Sequence, residues 1–332
     1  MSNFKAYQVS EIEEKKFAGE LVDRSIDELP EGQVLIRVHY SSVNYKDALS
    51  ANGNPGVTRS YPHTPGIDAA GVVESSDSAQ FSKGDEVIVV GYDLGMNTAG
   101  GFGQYIRVPE NWVISLPKSL TLKDSMVLGT AGFTAALCVE KLLHNGLVPD
   151  DGKVLVTGAT GGVGVVAVSL LSKLGFEVTA STSKKSAHSL LTALGATEII
   201  NRDDLSEENR KPMLAEQWAG AVDVVGGATL FNVVKSLKYG GSVAACGLVQ
   251  SPMFQASVLP FILRNVNLLG IDSVQLPIET KRRVWQKMGD QWRLENLDRL
   301  STEIEMEDLP KSLETVYKGG ATGRFVVNLK AK

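Results

Sequence analysis

The sequence predicts an α/β protein in which a doubly wound parallel sheet is joined to a second, β-rich unit. Three observations predict it. Beyond Gly152, short unbroken runs rich in Val and Ile alternate with helical segments, as parallel strands covered on both faces require. Before Thr121 the runs are alternating or β-branched and punctuated by Gly, Pro and Asp, the mark of a β-rich unit. A chain of 332 residues is long enough for two domains.

Taken in order, "QVLIRVHYSSVN", "AAGVVES", "DEVIVVGY" and "GQYIRVP" are the clearest strands of the first unit. Between the last two, "GMNTAGGFGQY" (95–105) is either a mobile loop anchored by Phe102 or Tyr105, or an ordinary hairpin connection. Near Thr121 the character changes. Thr121 and Asp124 have capping-box spacing ahead of a long helix, "LKDSMVLGTAGFTAALCVEKLLHNG". Strands "KVLVTG", "EVTAST", "TEIIN", "AVDVVGG" and "GSVAACG" follow, separated by "VGVVAVSLLSKLG", "SAHSLLTALG", a polar helical stretch and "TLFNVVKSLKYG". "FILRNVNLLGID" closes this unit. From about Asp272 the pattern is mixed again and ends in a strand, "GRFVVNLK". The expected domains are therefore 1–124 with 272–332, and 125–271.

Composition narrows the function. Hydrophobic residues make up 43% and charged residues 21%, with a formal charge of −5 and cations spread along the chain. Neither nucleic acid nor an anionic membrane is the expected partner. The segment "MSNFKAYQVSEIEEKK" lacks an apolar core, and no apolar run approaches membrane-spanning length. The two cysteines, Cys138 and Cys246, form neither a disulfide framework nor a metal-ligand spacing. His39, His63, His144 and His188 are scattered, so no metal is expected. A cytoplasmic, metal-free protein is the expectation.

The stretch "VLVTGATGGVGVVAV" (154–168) sets glycines between a buried strand and a helix. In that context Gly158, Thr160, Gly161, Gly162, Val163 and Gly164 present backbone N–H groups and a helix N-terminus to a pyrophosphate. The second strand ends in Ser181, Thr182, Ser183, Lys184 and Lys185, where an NAD binder usually places an acid. Hydroxyls and cations suit a 2′-phosphate, so NADP(H) is the expected cofactor; Lys185 equally begins a solvated helix. Ligands bind beyond the carboxyl ends of such strands, which brings in Gly226, Gly247 and Leu248. Arg202 either reaches the adenosine phosphate or solvates a loop.

The blocks "SSVNYKDALSANG", "YPHTPGIDAAGVV", "GTAGFTAAL", "VLVTGATGGVG", "YGGSVAACGL" and "PFILRNVNLLGIDSV", in that order, resemble the medium-chain dehydrogenase/reductases. Within them the chain resembles the zinc-free quinone oxidoreductase branch, of the YhdH/YhfP type that includes acryloyl-CoA reductases. The resemblance implies a GroES-like β-rich catalytic domain completed by the C-terminal segment, a Rossmann domain, homodimers, and NADPH bound in the cleft. It also implies that Asn44 and Asp47 face nicotinamide and substrate, that Tyr45 lines the cofactor site, that Thr130 lies near the nicotinamide, and that Arg324 approaches the pyrophosphate. Zinc relatives carry a catalytic Cys, a Gly-His-Glu motif and a four-cysteine lobe, where this chain reads "VNYKD", "PGIDAAG" and a cysteine-free "GYDLGMNTAGGFGQY".

Without a metal, positioned donors must stabilise charge on the acceptor's carbonyl and a proton must be delivered. Asn44, Tyr45, Lys46 and Asp47 offer such groups; alternatively Asn44 caps a short helix and Asp47 complements its dipole. Asp68 reads as a structural carboxylate. Arg264 and Asn265 meet substrate or a dimer mate. The acceptor is a short 2-enoyl-CoA, which Arg59, Lys281, Arg282 or Arg283 would anchor, or a quinone. A non-catalytic NADPH-binding role is the remaining alternative.

Overall fold

The computed structural model describes residues 3–207 and 209–330. The chain divides into two compact units, Met1–Thr130 with Val274–Lys332, and Ala131–Ser273.

The first unit opens with an antiparallel hairpin, β1 (Asn3–Glu13) and β2 (Lys16–Ser25). β3 (Val34–Ser42), α1 (Tyr45–Ala51), β4 (Asp68–Ser76), β5 (Glu86–Val90), β6 (Tyr105–Val108) and β7 (Val113–Ser115) follow, and then the start of α2 (Leu122–His144). α2 begins as its sequence dictates, Thr121 and Asp124 bonding reciprocally through side chain and backbone N–H at 3.0 and 3.1 Å. It is long and apolar enough to cross a membrane, yet it is kinked at Gly129 (φ +52°) and 83% of its apolar window is buried inside the protein.

In the second unit β8 (Val154–Val156), α3 (Gly162–Lys173), β9 (Val178–Ser181), α4 (His188–Ala193), β10 (Ala196–Ile200), α5 (Asp203–Ser206), β11 (Trp218–Asp223), α6 (Gly227–Ser236), β12 (Leu237–Ala245), α7 (Leu259–Arg264) and β13 (Asn267–Gly270) alternate. The strands pair in parallel in the order β10-β9-β8-β11-β12-β13. This is the Rossmann order, with its switch point at β8. Val154, Leu155 and Val156 are wholly buried, as a strand covered on both faces must be. The polar helical stretch expected after β10 is reduced to the four residues of α5. It lacks an apolar face, and Pro212 would break a longer helix.

The chain then completes the first unit with α8 (Ile278–Gly289), β14 (Ser301–Glu305), α9 (Leu309–Tyr317) and β15 (Arg324–Asn328). β15 pairs antiparallel with β3 in a sheet ordered β14-β15-β3-β4-β5-β7, β6 lying on β3. Inward residues of these strands, among them Val34, Ile36, Val38, Val87, Val89, Ile106 and Val327, share one core with Phe102 and Leu309.

The segment 95–105 is tied down, which excludes the mobile-loop alternative. Phe102 is fully buried, and its N–H and carbonyl bond Pro65 and Tyr7. Gly95, Gly100 and Gly101 lie against the backbone of Gly66 and Asp68, so closely that a Cβ on Gly101 would stand 2.0 Å from the Asp68 carbonyl oxygen. Only glycine permits this approach.

Candidate functional site

The carboxyl end of the parallel sheet in the second unit carries the glycine loop. Gly158 leaves β8 at φ +58°, Gly161 caps α3, and Gly162 and Val163 begin its first turn. A Cβ on Gly164 would meet the Gly158 carbonyl oxygen at 2.4 Å, so the loop folds back on the helix it opens. Thr160 is buried beside Gly161, which is half-buried. The arrangement leaves the helix N-terminus and its N–H groups facing the turn, which suits a pyrophosphate.

Neighbouring turns frame this cradle. Gly226 (φ +74°) caps α6, and its Cβ would crowd the Gly247 carbonyl oxygen at 3.0 Å. Leu248 is exposed beside it. Asp223, the one acid in an apolar strand, is buried and organises the turn: it accepts from the Thr157 hydroxyl at 2.7 Å and the Gly226 N–H at 2.8 Å. The Thr157 hydroxyl accepts in turn from the Val224 N–H. Burial raises the Asp223 carboxyl above its ordinary range, and these donors oppose the shift. Thr157 and Asp223 were not expected as contributors; a lone acid inside "AVDVVGG" was the available signal.

At the end of β9, Ser181 and Thr182 are buried, Lys184 is half-buried and Ser183 is exposed. The Thr182 hydroxyl accepts from the Lys184 N–H at 3.0 Å, and the Thr182 N–H reaches the Ile200 carbonyl of β10. Arg202 follows β10, exposed and 3.6 Å from Asp203. Burial lowers the Lys184 ammonium pKa, and the nearby Arg202 adds to that. Two cations held near one another favour an anion between them.

The first unit holds a second, buried polar cluster. Asp68 accepts from the Ser42 hydroxyl (2.6 Å), the Asn44 amide (2.8 Å), and the Thr130 N–H (2.9 Å) and hydroxyl (2.6 Å). Asp47 accepts three backbone N–H groups, those of Asn44, Gly66 and Ile67 at 2.8, 3.1 and 2.8 Å. Burial, with Asp68 nearby, pushes the Asp47 carboxyl up to about 7. Tyr45, half-buried, stacks on the exposed Tyr317 with centroids 6.4 Å apart.

Several expectations are corrected by this geometry. Arg324 does not present a free guanidinium to a phosphate. Its Nε and Nη1 donate to the carbonyls of Val127 and Val43 and to Asn44 Oδ1, its Nη2 donates to Ser42 Oγ at 2.7 Å, and Asp68 lies 3.7 Å away. The amide N–H groups of Asn44 are committed to Ser42 and Asp68. Asp47 is fully buried and supplies the carboxylate half of the helix cap, while the Asn44 side chain turns to Asp68 and Arg324. Asn44 and Asp47 thus spend their side-chain hydrogen bonds inside the first unit. Asp68 is structural, as its sequence context suggested. Arg264 bonds the carbonyls of Lys235, Leu237 and Leu214 and pairs with Glu216. Lys281 is fully buried, its ammonium donating to the carbonyls of Val90 (2.8 Å) and Val274 (2.9 Å) and lying 3.4 Å over the Tyr92 ring, so it anchors no ligand. Arg282 bonds Glu279 and Gln80. Arg59 and Arg283 are exposed.

Two family models match the chain: an alcohol dehydrogenase GroES-like domain over residues 30–118 and a zinc-binding dehydrogenase over 162–290. Zinc does not fit these residues. Among the described residues no three His, Cys, Asp or Glu side chains come together, and both carboxylates of the buried cluster are already saturated by donors. YhfP of Bacillus subtilis, named as a quinone oxidoreductase, is 46% identical over 92% of this chain and 93% of its own. The solved YhfP structure, with NAD bound, superposes at TM-score 0.95 over 99% of this chain and 100% of that one, at 44% identity. The acrylyl-CoA reductase AcuI of Ruegeria pomeroyi is 43% identical over 99% of this chain and 100% of its own. The YhdH oxidoreductase of Salmonella enterica, crystallised with NADP, superposes at TM-score 0.95 with 40% identity, covering 98% of this chain and 100% of that one. Such identity over nearly the whole length establishes that the chain belongs to the medium-chain dehydrogenase/reductase superfamily, in the branch of YhdH, YhfP and AcuI.

Proposed function

We propose that the chain is an NADPH-dependent reductase of electron-poor double bonds, with a short 2-enoyl-CoA such as acryloyl-CoA as its acceptor. The observation that carries the cofactor half is the end of β9, where Ser181, Thr182, Ser183 and Lys184, with Arg202 nearby, offer hydroxyls and cations and no acid. In this reading Gly158, Thr160, Gly161, Gly162, Val163 and Gly164 hold the pyrophosphate, and Gly226, Gly247 and Leu248 border the nicotinamide half. Bound NADPH supplies the hydride. Tyr45 lines the site with Thr130, which Asp68 orients through two hydrogen bonds. Asn44, Asp47 and Arg324 hold that wall from behind. The enoyl-thioester half is supported by likeness to AcuI along the whole chain. A quinone acceptor is the second reading, favoured by likeness to YhfP.

Steady-state oxidation of NADPH and NADH against acryloyl-CoA and a simple quinone tests both. A kcat/KM for acryloyl-CoA of roughly 10⁴ M⁻¹s⁻¹ or more supports the enoyl-CoA reading. Comparable weak rates with both acceptors leave a general quinone or enone reductase, and tight NADPH binding without turnover leaves a binding protein.

The working unit we propose is a cytoplasmic homodimer. β13 is an open sheet edge, and Val258, Ile262 and Leu263 around the neighbouring α7 are exposed apolar residues. Sedimentation reads the mass directly, and a monomer at micromolar concentration overturns the dimer.

A further inference from the structure

The carboxyl ends of three neighbouring strands of the second unit, β8, β11 and β12, meet at one side chain. Asp223 is the last residue of β11, Thr157 follows β8 and Cys246 follows β12. The register sets Val222 opposite Val156 and Asp223 opposite Ala245, so the three turns leave the sheet in one row. Asp223 Oδ1 accepts from the Thr157 hydroxyl at 2.7 Å, and Oδ2 accepts the N–H groups of Gly226 and Val225 at 2.8 and 3.3 Å. The Asp223 main-chain carbonyl accepts the Cys246 N–H at 2.9 Å. The carboxylate itself is wholly buried and offers no face to a ligand.

We propose that Asp223 is a positioning residue, acting with Thr157 to fix the turns at Gly158 and Gly226 that receive the dinucleotide. This role rests on the cofactor reading above. An apolar residue would suit the end of a buried strand better, since a buried carboxylate is tolerated only where hydrogen bonds compensate it. Here the compensating donors, Thr157, Val225 and Gly226, all belong to turns rather than to the sheet. Asparagine would not serve in its place. It has one acceptor oxygen, so either the Thr157 hydroxyl or the Val225 and Gly226 N–H groups would lose their acceptor.

The turns have little slack. The Thr157 hydroxyl oxygen also accepts the Val224 N–H, at 3.2 Å. A Cβ on Gly158 (φ +58°) would stand 2.5 Å from Val224 Cγ2, and one on Gly247 would stand 2.0 Å from the Val224 carbonyl oxygen. Gly226 is as tightly placed, its Cβ falling 2.7 Å from the Ser251 carbonyl oxygen. Val224 thus bears on the turns to either side, and loss of the bonds that hold it passes to both. Ser181 and Lys184, at the end of β9, lie across β8 from Asp223. The effect should therefore fall on NADPH and NADH alike, and not on the 2′-phosphate alone.

The test titrates the full-length protein with NADPH and with NADH by nucleotide fluorescence, and records melting temperatures alongside. The variants are Asp223→Asn, Thr157→Val, Thr157→Ser and the double variant Asp223→Asn with Thr157→Val. A charge-assisted hydrogen bond is lost in each of the first two, so each should raise both Kd values roughly tenfold or more. The two residues act as one unit, so the double variant should bind about as the weaker single variant does. Thr157→Ser keeps the hydroxyl and should bind like the parent protein. A lowered melting temperature with unchanged Kd values makes the pair merely structural and overturns the proposal. So does a loss confined to NADPH, or a Thr157→Ser variant as weak as Thr157→Val. Should Asp223→Asn not fold, the two Thr157 variants decide. Failure of the parent protein to bind either nucleotide overturns instead the cofactor reading on which the role rests.

Discussion

Replacing Arg324 with Met separates a structural guanidinium from a phosphate ligand. The side chain is 3% exposed and engages Val127, Val43, Asn44 and Ser42, with Asp68 at 3.7 Å. Met fills the volume but leaves two carbonyls short of a donor and the Asp68 carboxylate without its countercharge. Breaking a buried pair in this way costs about 3–5 kcal/mol. At about 2–4 °C per kcal/mol for a unit of this size, the melting temperature should fall by roughly 6–20 °C. Urea unfolding followed by tryptophan fluorescence measures the loss. Adding Asp68→Asn removes the stranded charge, so the double variant should be more stable than Arg324→Met alone, a coupling of about 1–3 kcal/mol. A single variant with wild-type stability and a raised KM for NADPH would refute the reasoning, because only a phosphate contact behaves that way.

Three further outcomes are expected. The fold raises the Asp47 carboxyl from 3.8 to about 7, so the folded chain holds a proton that the unfolded chain releases. This group's stabilisation is complete below pH 3.8 and is lost as pH rises to about 7, by at most about 4 kcal/mol; urea midpoints of Asp47→Asn, which cannot ionise, should lack that slope between about pH 4.5 and 7. Lys184→Ala and Arg202→Ala should each weaken NADPH roughly tenfold and leave NADH nearly untouched, as isothermal titration would show; equal losses for both cofactors would remove these residues from the 2′-phosphate. Gly101→Ala forces a Cβ to 2.0 Å from the Asp68 carbonyl oxygen and should cost about 2–4 kcal/mol, read as a lower urea midpoint.

What the sequence discloses follows from the range of the interactions. The glycine loop is legible because strand, turn and helix are contiguous and only glycine meets its geometry. The β1–β2 hairpin is hidden: its outward faces are polar, and its turn uses Lys15 at φ +59° where a glycine would have announced it. The buried cluster is hidden for a different reason. Ser42, Asn44, Asp68, Thr130 and Arg324 are separated by up to 282 positions, and pattern rules read each against its immediate neighbours. Local reasoning found Asn44 at the cap of α1, and likeness to a family put Arg324 at a phosphate, while the fold turned both side chains to Asp68. Lys281 was misjudged likewise, because a basic run, "KRR", reads as surface when one member points inward.

That inward lysine gives the protein an internal clock. Amine-reactive labels reach exposed lysines in the native state, but the Lys281 ammonium is enclosed by two carbonyls and an aromatic ring. Its acylation, and tryptic cleavage after it, must wait for the surrounding structure to open. The labelling rate at this one position, followed by peptide mass, thus reports how often the structure that encloses Lys281 opens.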